Sequence, residues 1–133
     1  MKIYDASGAI VGRLASRVAK DAILGEEVAI INVGDAIITG SKEFVLSKYE
    51  RKRSMGQHHK GPFIHRTPEK FFKRIIRGML PHKESRGVLA FKRIKCYNGV
   101  PDGLNIDVIK NSRTTIHEFV TVKDLLRQLG GKQ

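Results

Sequence analysis

Residues 28–33 read VAIINV, a short run in which Asn32 is the one polar residue. Four of the six residues are branched at Cβ, which suits an extended backbone better than a helix. A run of this length, without alternation of apolar and polar residues, is typical of a strand buried on both faces. The stretch therefore predicts an inner strand of a parallel sheet, since that sheet type has both of its faces covered.

The segments before this run complete a strand–helix–strand unit. Residues 2–5 are partly apolar and predict a first strand, and Gly25 marks the end of the helix that follows it. The apolar residues of that helix recur at helical spacing: Val11, Leu14, Ala15, Val18, Ala19, Ala22 and Ile23. A strand, a helix and a buried strand in this order form a βαβ unit, which predicts an α/β fold with right-handed crossovers.

Turn and capping signals predict the elements of the middle of the chain. Gly34-Asp35 is a turn signal, after which residues 37–39 are predicted to extend the edge of the sheet. Ser41 opens a helix that ends in ERKR at residues 50–53. The sequence Thr67-Pro68-Glu69 predicts another helix start, with a capping hydroxyl, a proline at the first position and an acid in the first turn.

The last third of the chain has weaker periodicity. Residues 106–109 and 116–120 are predicted strands. Thr121, with Asp124 three residues later, resembles a capping box for a terminal helix that stops at Gly130. Since the 133 residues are enough for one core and too few for two, we expect a single domain, residues 1–133.

The composition is that of an ordinary globular protein. Hydrophobic residues make up 41% of the chain, and no apolar run approaches the length of a membrane span. The N-terminal segment MKIYDASG lacks the long apolar stretch of a secretory signal. Cys96 is the single cysteine, so it forms no internal disulfide, which fits a reducing compartment.

Positive charge is concentrated in the middle of the chain. The formal net charge is +12, and residues 42–95 hold 16 Lys and Arg against four acids, whereas the rest of the chain is balanced at nine against nine. Concentrated cations repel one another until a partner neutralises them. Nucleic acid is the first candidate partner and an anionic membrane surface the second.

Residues 53–66, RSMGQHHKGPFIHR, lie within this basic region and contain no carboxylate. Two glycines and a proline interrupt the stretch, so it predicts a loop that does not stabilise itself. Glycines let a backbone approach phosphate closely, and arginines bind phosphate through a planar fork. Because Phe63 is the one aromatic residue of the loop other than its histidines, we expect folded, double-helical RNA rather than stacked single strands.

Other sequence features do not match the motifs of catalytic or metal sites. Gly8 and Gly12 lie between a strand and a helix, but a dinucleotide fingerprint needs three glycines at another spacing, so tight turning and close packing explain them. Residues 40–42, GSK, have the wrong order for a P-loop. The residues His58, His59, His65 and Cys96 lack the paired spacing of a zinc site. We therefore expect no enzyme activity, no metal and no cofactor.

Three segments resemble one known family: DASGAIVGRLAS at 5–16, INVGDAIITGSK at 31–42 and RGMLPHKESRGVLAFKRIKCYNGVP at 77–101. Together they resemble large-subunit ribosomal protein L-thirteen in its archaeal form. The resemblance implies a non-catalytic structural component of the large ribosomal subunit, in the cytoplasm, which joins large-subunit ribosomal RNA early in assembly beside other ribosomal proteins. It also implies a three-layer α/β/α domain with a four-stranded, mainly parallel, Rossmann-like sheet.

On this interpretation RNA orders the loop of residues 53–66. The basic region 42–97 then faces RNA, without a membrane or a small-molecule substrate as partner. The predicted RNA-binding residues are Arg51, Lys52, Arg53, His58, His59, Lys60, His65, Arg66, Lys70, Lys73, Arg74, Arg77, Lys83, Arg86, Lys92 and Arg93.

Two alternatives belong to other classes of protein. A small enzyme or nucleotide-binding protein would need a phosphate site at the turn of residues 7–12. A peripheral membrane protein would need the apolar stripe of residues 71–80 to be free for lipid, whereas a domain of this size needs that stripe for its core.

Overall fold

Helices and short strands alternate through the computed structural model, which describes residues 1–104, 108–110 and 115–131. The strands are β1 (Lys2–Asp5), β2 (Val28–Ile31), β3 (Ile37–Thr39), β4 (Ile94–Cys96), β5 (Val108–Lys110) and β6 (Phe119–Thr121). The α-helices are α1 (Val11–Ile23), α2 (Lys42–Ser54), α3 (Pro68–Met79), α4 (Ser85–Lys92) and α5 (Val122–Gln128).

The main sheet has the strand order β4-β2-β1-β5, and each neighbouring pair is parallel. In the register of the sheet, Ile3 of β1 lies opposite Ala29 of β2 and Val108 of β5. The strand VAII of β2 lies inside the sheet, between β1 and β4. The prediction of an α/β fold with a mainly parallel sheet is therefore confirmed.

The strand β2 is buried on both faces, as its composition predicts. Val28 and Ile30 point into the larger apolar cluster, to which all five helices contribute buried residues. Ala29 and Ile31 belong to a smaller cluster on the opposite face. Successive side chains of a strand alternate between faces, so an unbroken apolar run serves two cores at once.

The smaller cluster differs from the predicted three-layer arrangement. It is formed by Ile3, Ala29 and Ile31, and the residues packed against it, Tyr97 and Leu104, lie outside helices. Among the described residues, this face therefore has no helix in its core, which corrects the expectation of helices on both faces. The connection from β4 to β5, residues 97–107, is close to the shortest parallel crossover, which takes about a dozen residues, and its described part, 97–104, contains no helix.

The helix α1 follows its sequence pattern closely. Each of its predicted apolar residues is buried except Ile23, which is 42% exposed at the helix end. The backbone N–H of Leu24 donates to the carbonyl of Lys20 at 3.1 Å, and Gly25 then adopts a φ of 102° that ends the helix.

The strand β3 does not extend the main sheet, so that prediction is wrong. It pairs antiparallel with β6 in a separate two-stranded sheet, where Ile37 lies opposite Thr121. A 3₁₀ turn at Val33–Asp35 redirects the chain after β2, and the N–H of Ile37 then donates to the carbonyl of Ala9 at 2.8 Å. The turn therefore separates β3 from the sheet that β2 belongs to.

The C-terminal predictions are confirmed in part. Of the predicted strand 106–109, residues 106 and 107 lie outside the described residues, and β5 begins at Val108. Of the predicted strand 116–120, only its last two residues are extended, in β6. The predicted cap of α5 is confirmed, because the Oγ1 of Thr121 accepts a 3.2 Å hydrogen bond from the N–H of Asp124.

Candidate nucleic-acid interface

The helix α2 presents three adjacent cations at its C-terminal end. Its start is fixed by Ser41, whose hydroxyl accepts a hydrogen bond from the N–H of Phe44 at 3.4 Å. Val45 is the one buried residue of the helix, so most of its surface faces solvent. The last turn carries Arg51, Lys52 and Arg53, where the partial negative charge of the helix end stabilises cations.

The loop that follows α2, residues 55–67, is closed by its own backbone. The carbonyl of Gln57 accepts hydrogen bonds from the N–H groups of Lys60 (3.0 Å) and Gly61 (2.9 Å). Gly56 has a φ of 87°, and a Cβ added to Gly61 would lie 2.6 Å from the carbonyl oxygen of Met55. The two glycines are therefore required for the close approach of the loop ends, and residues 51–60 are all exposed.

The helix α3 separates a core face from a cationic face. Phe71, Phe72 and Ile76 are buried against the body of the protein, so most of the apolar stripe belongs to the core, whereas Met79 at the helix end is 43% exposed. The cationic face is formed by Lys70, Lys73, Arg74 and Arg77, at the i, i+3, i+4 and i+7 spacing that places side chains on one side of a helix. Pro68 occupies the first turn as predicted, but the side chain of Thr67 makes no capping hydrogen bond, so the predicted hydroxyl cap is wrong.

Three cavities bring together ten of the sixteen predicted residues. A cavity of about 350 Å³ within the loop has in its lining Arg53, His58, His59 and Arg66. A groove of about 560 Å³ between the loop and α3 has Lys52, His65 and Arg74. A cavity of about 250 Å³ beside α3 has His65, Lys70, Lys73, Arg74 and Arg77. The end of α2, the loop and the cationic face of α3 thus form one continuous surface, which we call the basic surface.

The other six predicted residues, Arg51, Lys60, Lys83, Arg86, Lys92 and Arg93, line none of these three cavities. Two of them have structural contacts. Arg93 donates to the carbonyl of Ala22 at 3.2 Å, and Arg86 lies 3.1 Å from the carboxylate of Glu84. On the basic surface, Arg53 donates to the carbonyl of Leu129 at 3.1 Å. A prediction from charge alone does not separate such contacts from binding.

The cations of the middle of the chain lack matching carboxylates. Residues 42–95 are described throughout, and within them Arg86 is the one Lys or Arg in an ion pair with a carboxylate. Thirteen of the sixteen predicted residues are exposed, and Lys73, Arg77 and Arg93 are half-buried. The surface therefore keeps its positive charge available for an anionic partner.

The histidines of the loop and Cys96 do not converge. The rings of His58 and His59 lie 4.0 Å apart, edge to face. Within the described residues, no group of three or more His, Cys, Asp and Glu side chains is placed to hold a metal ion. Burial raises the pKa of the Cys96 thiol to about 12, with Lys73 opposing and Glu69 adding to the shift, so the thiol is neutral at physiological pH.

Of the predicted turn, residues 7–12, the structure has a tight turn at Ser7 and Gly8, while Gly12 lies in the first turn of α1. Gly8 has a φ of 66°, which confirms the turning role, but a Cβ at Gly8 or Gly12 would meet nothing within 4 Å, so the predicted close packing is wrong. At the end of β1, just before this turn, Asp5 accepts hydrogen bonds from the N–H of Ser7 (3.0 Å) and from Nδ2 of Asn32 (3.1 Å). A carboxylate in this position repels phosphate.

Among the described residues, no helix is both long and apolar enough to cross a membrane.

Aromatic residues of the helices also belong to the basic surface, and the sequence interpretation missed them. The rings of Tyr49 in α2 and Phe71 in α3 lie 5.5 Å apart and line the groove beside Phe63. The Nζ of Lys73 lies 4.7 Å from the centre of the Phe91 ring. Tyr49 lies four residues after the buried Val45, so both side chains are on the same side of α2. This spacing was the signal that the Tyr49 ring points toward α3 and the loop.

Comparison with known proteins identifies the family. The family model described as ribosomal protein L13 matches residues 1–102. The large ribosomal subunit protein uL13 of Methanococcus maripaludis is 45% identical over 136 aligned positions, which cover 99% of this chain and 99% of that protein. The uL13 proteins of Methanococcoides burtonii and Haloarcula marismortui are each 41% identical and cover 99% and 98% of this chain, and 99% and 92% of their own lengths. The chain therefore belongs to the ribosomal protein L13 family, in its archaeal form.

Proposed function

We propose that this chain is a structural constituent of the large ribosomal subunit and binds large-subunit ribosomal RNA through the basic surface, early in assembly. The observation that carries this proposal is the excess of cations without carboxylate partners along α2, the loop and α3. Phosphate neutralises such cations, and the release of counterions from RNA supplies the free energy of binding.

The family supports the structural role. Ribosomal protein L13 is a component of the ribosome and not an enzyme, so the chain needs no catalytic residues or cofactor. We further propose a single domain, residues 1–133, whose region 42–97 faces RNA. Its location is then the ribosome in the cytoplasm, with other large-subunit proteins as neighbours and no membrane or small-molecule substrate as partner.

The strand order supports a Rossmann-like classification of the four-stranded sheet. Numbered by their order in the main sheet alone, the strands lie as 3-2-1-4, which is the order of the first four strands of a doubly wound sheet. The place where such folds bind phosphate holds Asp5 instead, with its carboxylate bonded to Ser7 and Asn32. In this proposal the sheet is a scaffold for the basic surface.

The experiment compares binding of the full chain to protein-free archaeal large-subunit and small-subunit ribosomal RNA over a series of salt concentrations. We expect tighter binding to the large-subunit RNA, which is the proposed partner. We expect this binding in the absence of other ribosomal proteins, because a protein that joins early recognises RNA before the others arrive. If six to ten phosphates are contacted, affinity falls about a thousandfold or more between about 50 and 200 mM salt.

Charge variants test where the RNA binds. We expect the double variant Lys60→Ala/Arg66→Ala to lower the slope of log affinity against log salt by about two. The matched control Lys20→Ala/Lys123→Ala removes two exposed cations outside residues 42–97 and leaves the slope nearly unchanged. Equal affinity for the two RNAs, a flat salt response or equal effects of both double variants would each count against the proposal.

A further inference from the structure

The cavity beside α3 has the composition of a phosphate site. Its lining consists of His65, Lys70, Lys73, Arg74, Arg77 and Phe91, with no acidic residue. The four cations of α3 reach it from one helix face, and α4 closes it with the ring of Phe91, which contacts Lys73. Because four Lys and Arg side chains face one small volume, a single anion there would relieve their mutual repulsion.

The guanidinium of Arg77 adds an independent observation at this cavity. Its Nε is shielded from solvent and has no hydrogen-bond partner. Buried N–H groups without partners are rare in native proteins, because each costs free energy comparable to a lost hydrogen bond. A guanidinium next to a cationic cavity is suited to a charge-assisted hydrogen bond to a phosphate oxygen.

The neighbouring groove has the composition of a site for a planar ring. Its apolar lining includes Tyr49, Met55, Pro62, Phe63, Phe71 and Ile75. Its volume of about 560 Å³ is within the range of about 300–1,000 Å³ that is common for ligand pockets. Phe63 is 72% exposed, so most of this aromatic side chain is open to solvent.

The groove and the cavity share two residues. His65 and Arg74 line both, so the apolar space and the cationic space lie on either side of these two side chains. A nucleotide has the same division, with a planar base at one end and a phosphate at the other.

We infer that the two spaces together bind one unstacked RNA nucleotide, with its phosphate among Arg74, Arg77 and Lys70 and its base beside Phe63. This inference rests on the proposed RNA-binding function and names what that function recognises. It departs from the expectation of folded, double-helical RNA, because that expectation counted aromatic residues in the loop alone and omitted Tyr49 and Phe71 from the helices. The occupant is a nucleotide turned out of a helix at a bulge or loop.

The experiment uses the full chain, one fully paired RNA duplex of about 16 base pairs, and four duplexes that differ from it only by one bulged nucleotide, which is A, C, G or U in turn. The variant Phe63→Ala removes the exposed ring. The control Phe44→Ala removes another ring, 63% exposed, that lines neither the cavity nor the groove. Circular dichroism and melting temperature establish that both variants are folded.

We expect the wild-type chain to bind at least one bulged duplex more tightly than the paired duplex, and Phe63→Ala to abolish this preference. Base stacking on an aromatic side chain corresponds to a loss of about 5- to 150-fold. Phe63→Ala leaves the salt slope unchanged, whereas Arg77→Lys, which retains charge but removes Nε–H, weakens the bulged complex more than the paired one.

Equal binding of bulged and paired duplexes by the wild-type chain overturns the inference, as does a Phe63→Ala variant that keeps the preference. Neither result affects the proposed function, which depends on the separate comparison of large-subunit and small-subunit ribosomal RNA. Failure in that comparison, with a preference for the bulged duplex retained, would instead reject the ribosomal assignment of the surface and keep the nucleotide site.

Discussion

The hydroxyl of Tyr4 donates a 2.5 Å hydrogen bond to Oδ2 of Asp21 and so joins β1 to α1. The Nζ of Lys2 lies 3.1 Å from the other carboxylate oxygen. Burial, and then the hydrogen bond to Asp21, raises the pKa of Tyr4 to about 12. Burial alone would raise the pKa of Asp21, but the hydrogen bonds from Tyr4 and Lys2 lower it below its ordinary value. One carboxylate thus connects the first strand to the first helix.

Replacing Tyr4 with Phe tests this connection. We expect the free energy of unfolding to fall by about 1.5–3 kcal/mol, because the lost hydrogen bond has a charged acceptor. Urea denaturation measures the change. The control Tyr97→Phe removes a half-buried hydroxyl without a partner among the described residues, and we expect a change within about 0.5 kcal/mol. Equal losses for the two variants would show that the bond to Asp21 contributes nothing specific.

The same pair predicts how stability changes at high pH. The pKa of Tyr4 rises from about 10 to about 12 on folding, so the folded chain holds this proton more tightly than the unfolded chain. The stabilising contribution is complete below pH 10 and is lost as the pH rises toward 12. We expect the difference in unfolding free energy between the wild-type chain and Tyr4→Phe to shrink over this interval, measured by denaturation at a series of pH values. A difference that stays constant across the interval would contradict the assignment.

Arg53 is predicted to contribute to stability as well as to charge. Its guanidinium donates to the carbonyl of Leu129 across 76 residues of sequence. We expect Arg53→Ala to lower the free energy of unfolding by about 0.5–1.5 kcal/mol, as for a typical hydrogen bond. Thermal and urea unfolding measure this, with the neighbouring exposed Arg51→Ala as the control, for which we expect less than about 0.5 kcal/mol. An unchanged midpoint for Arg53→Ala would mean that this contact is not formed in solution.

Gly87 is predicted to be irreplaceable, although it lies in a helix. A Cβ at this position would overlap the carbonyl group of Pro81 and lie 3.0 Å from the N of His82. These are backbone atoms, so α4 would have to move, and we expect Gly87→Ala to destabilise the chain by about 1–3 kcal/mol. The control is Gly12→Ala in α1, where a Cβ meets nothing within 4 Å and we expect a gain of up to about 1 kcal/mol. Urea unfolding measures the change in unfolding free energy for both variants. A gain in stability for Gly87→Ala as well as for Gly12→Ala would mean that the backbone at Pro81 moves at little cost.

Local signals in the sequence were enough for much of the fold. The β-branched run of β2, the apolar spacing of α1 and the Thr121 cap of α5 each depend on neighbouring residues, and each prediction is confirmed. The partner of β3 could not be inferred, because three residues carry no register information and β6 lies some eighty residues later. The helix α4 was not predicted, since its cations and Gly87 obscured a short apolar pattern.

The candidate site was likewise predicted only in part from the sequence. Charge can be counted, so the sequence located the basic surface on α2, the loop and α3. It could not show which cations have structural partners: Arg93 reaches Ala22 and Arg53 reaches Leu129 across long sequence separations. The groove also depends on how the loop folds back against α3, which places Phe63 beside Tyr49. Neither residue alone indicates a site.

The contact between Gly56 and Gly61 has a consequence for how this family can vary. Because the ends of the loop meet and neither glycine has room for a side chain, the segment between them is attached to the body at a single fixed neck. Its length can change at the exposed tip, residues 58–60, without moving α2 or α3, since each doubling of a loop costs only about 0.6 kcal/mol. Insertions at the tip would thus leave the packing of α2 and α3 intact but interrupt the basic surface, which includes His58 and His59, whereas insertions at the neck would disrupt both.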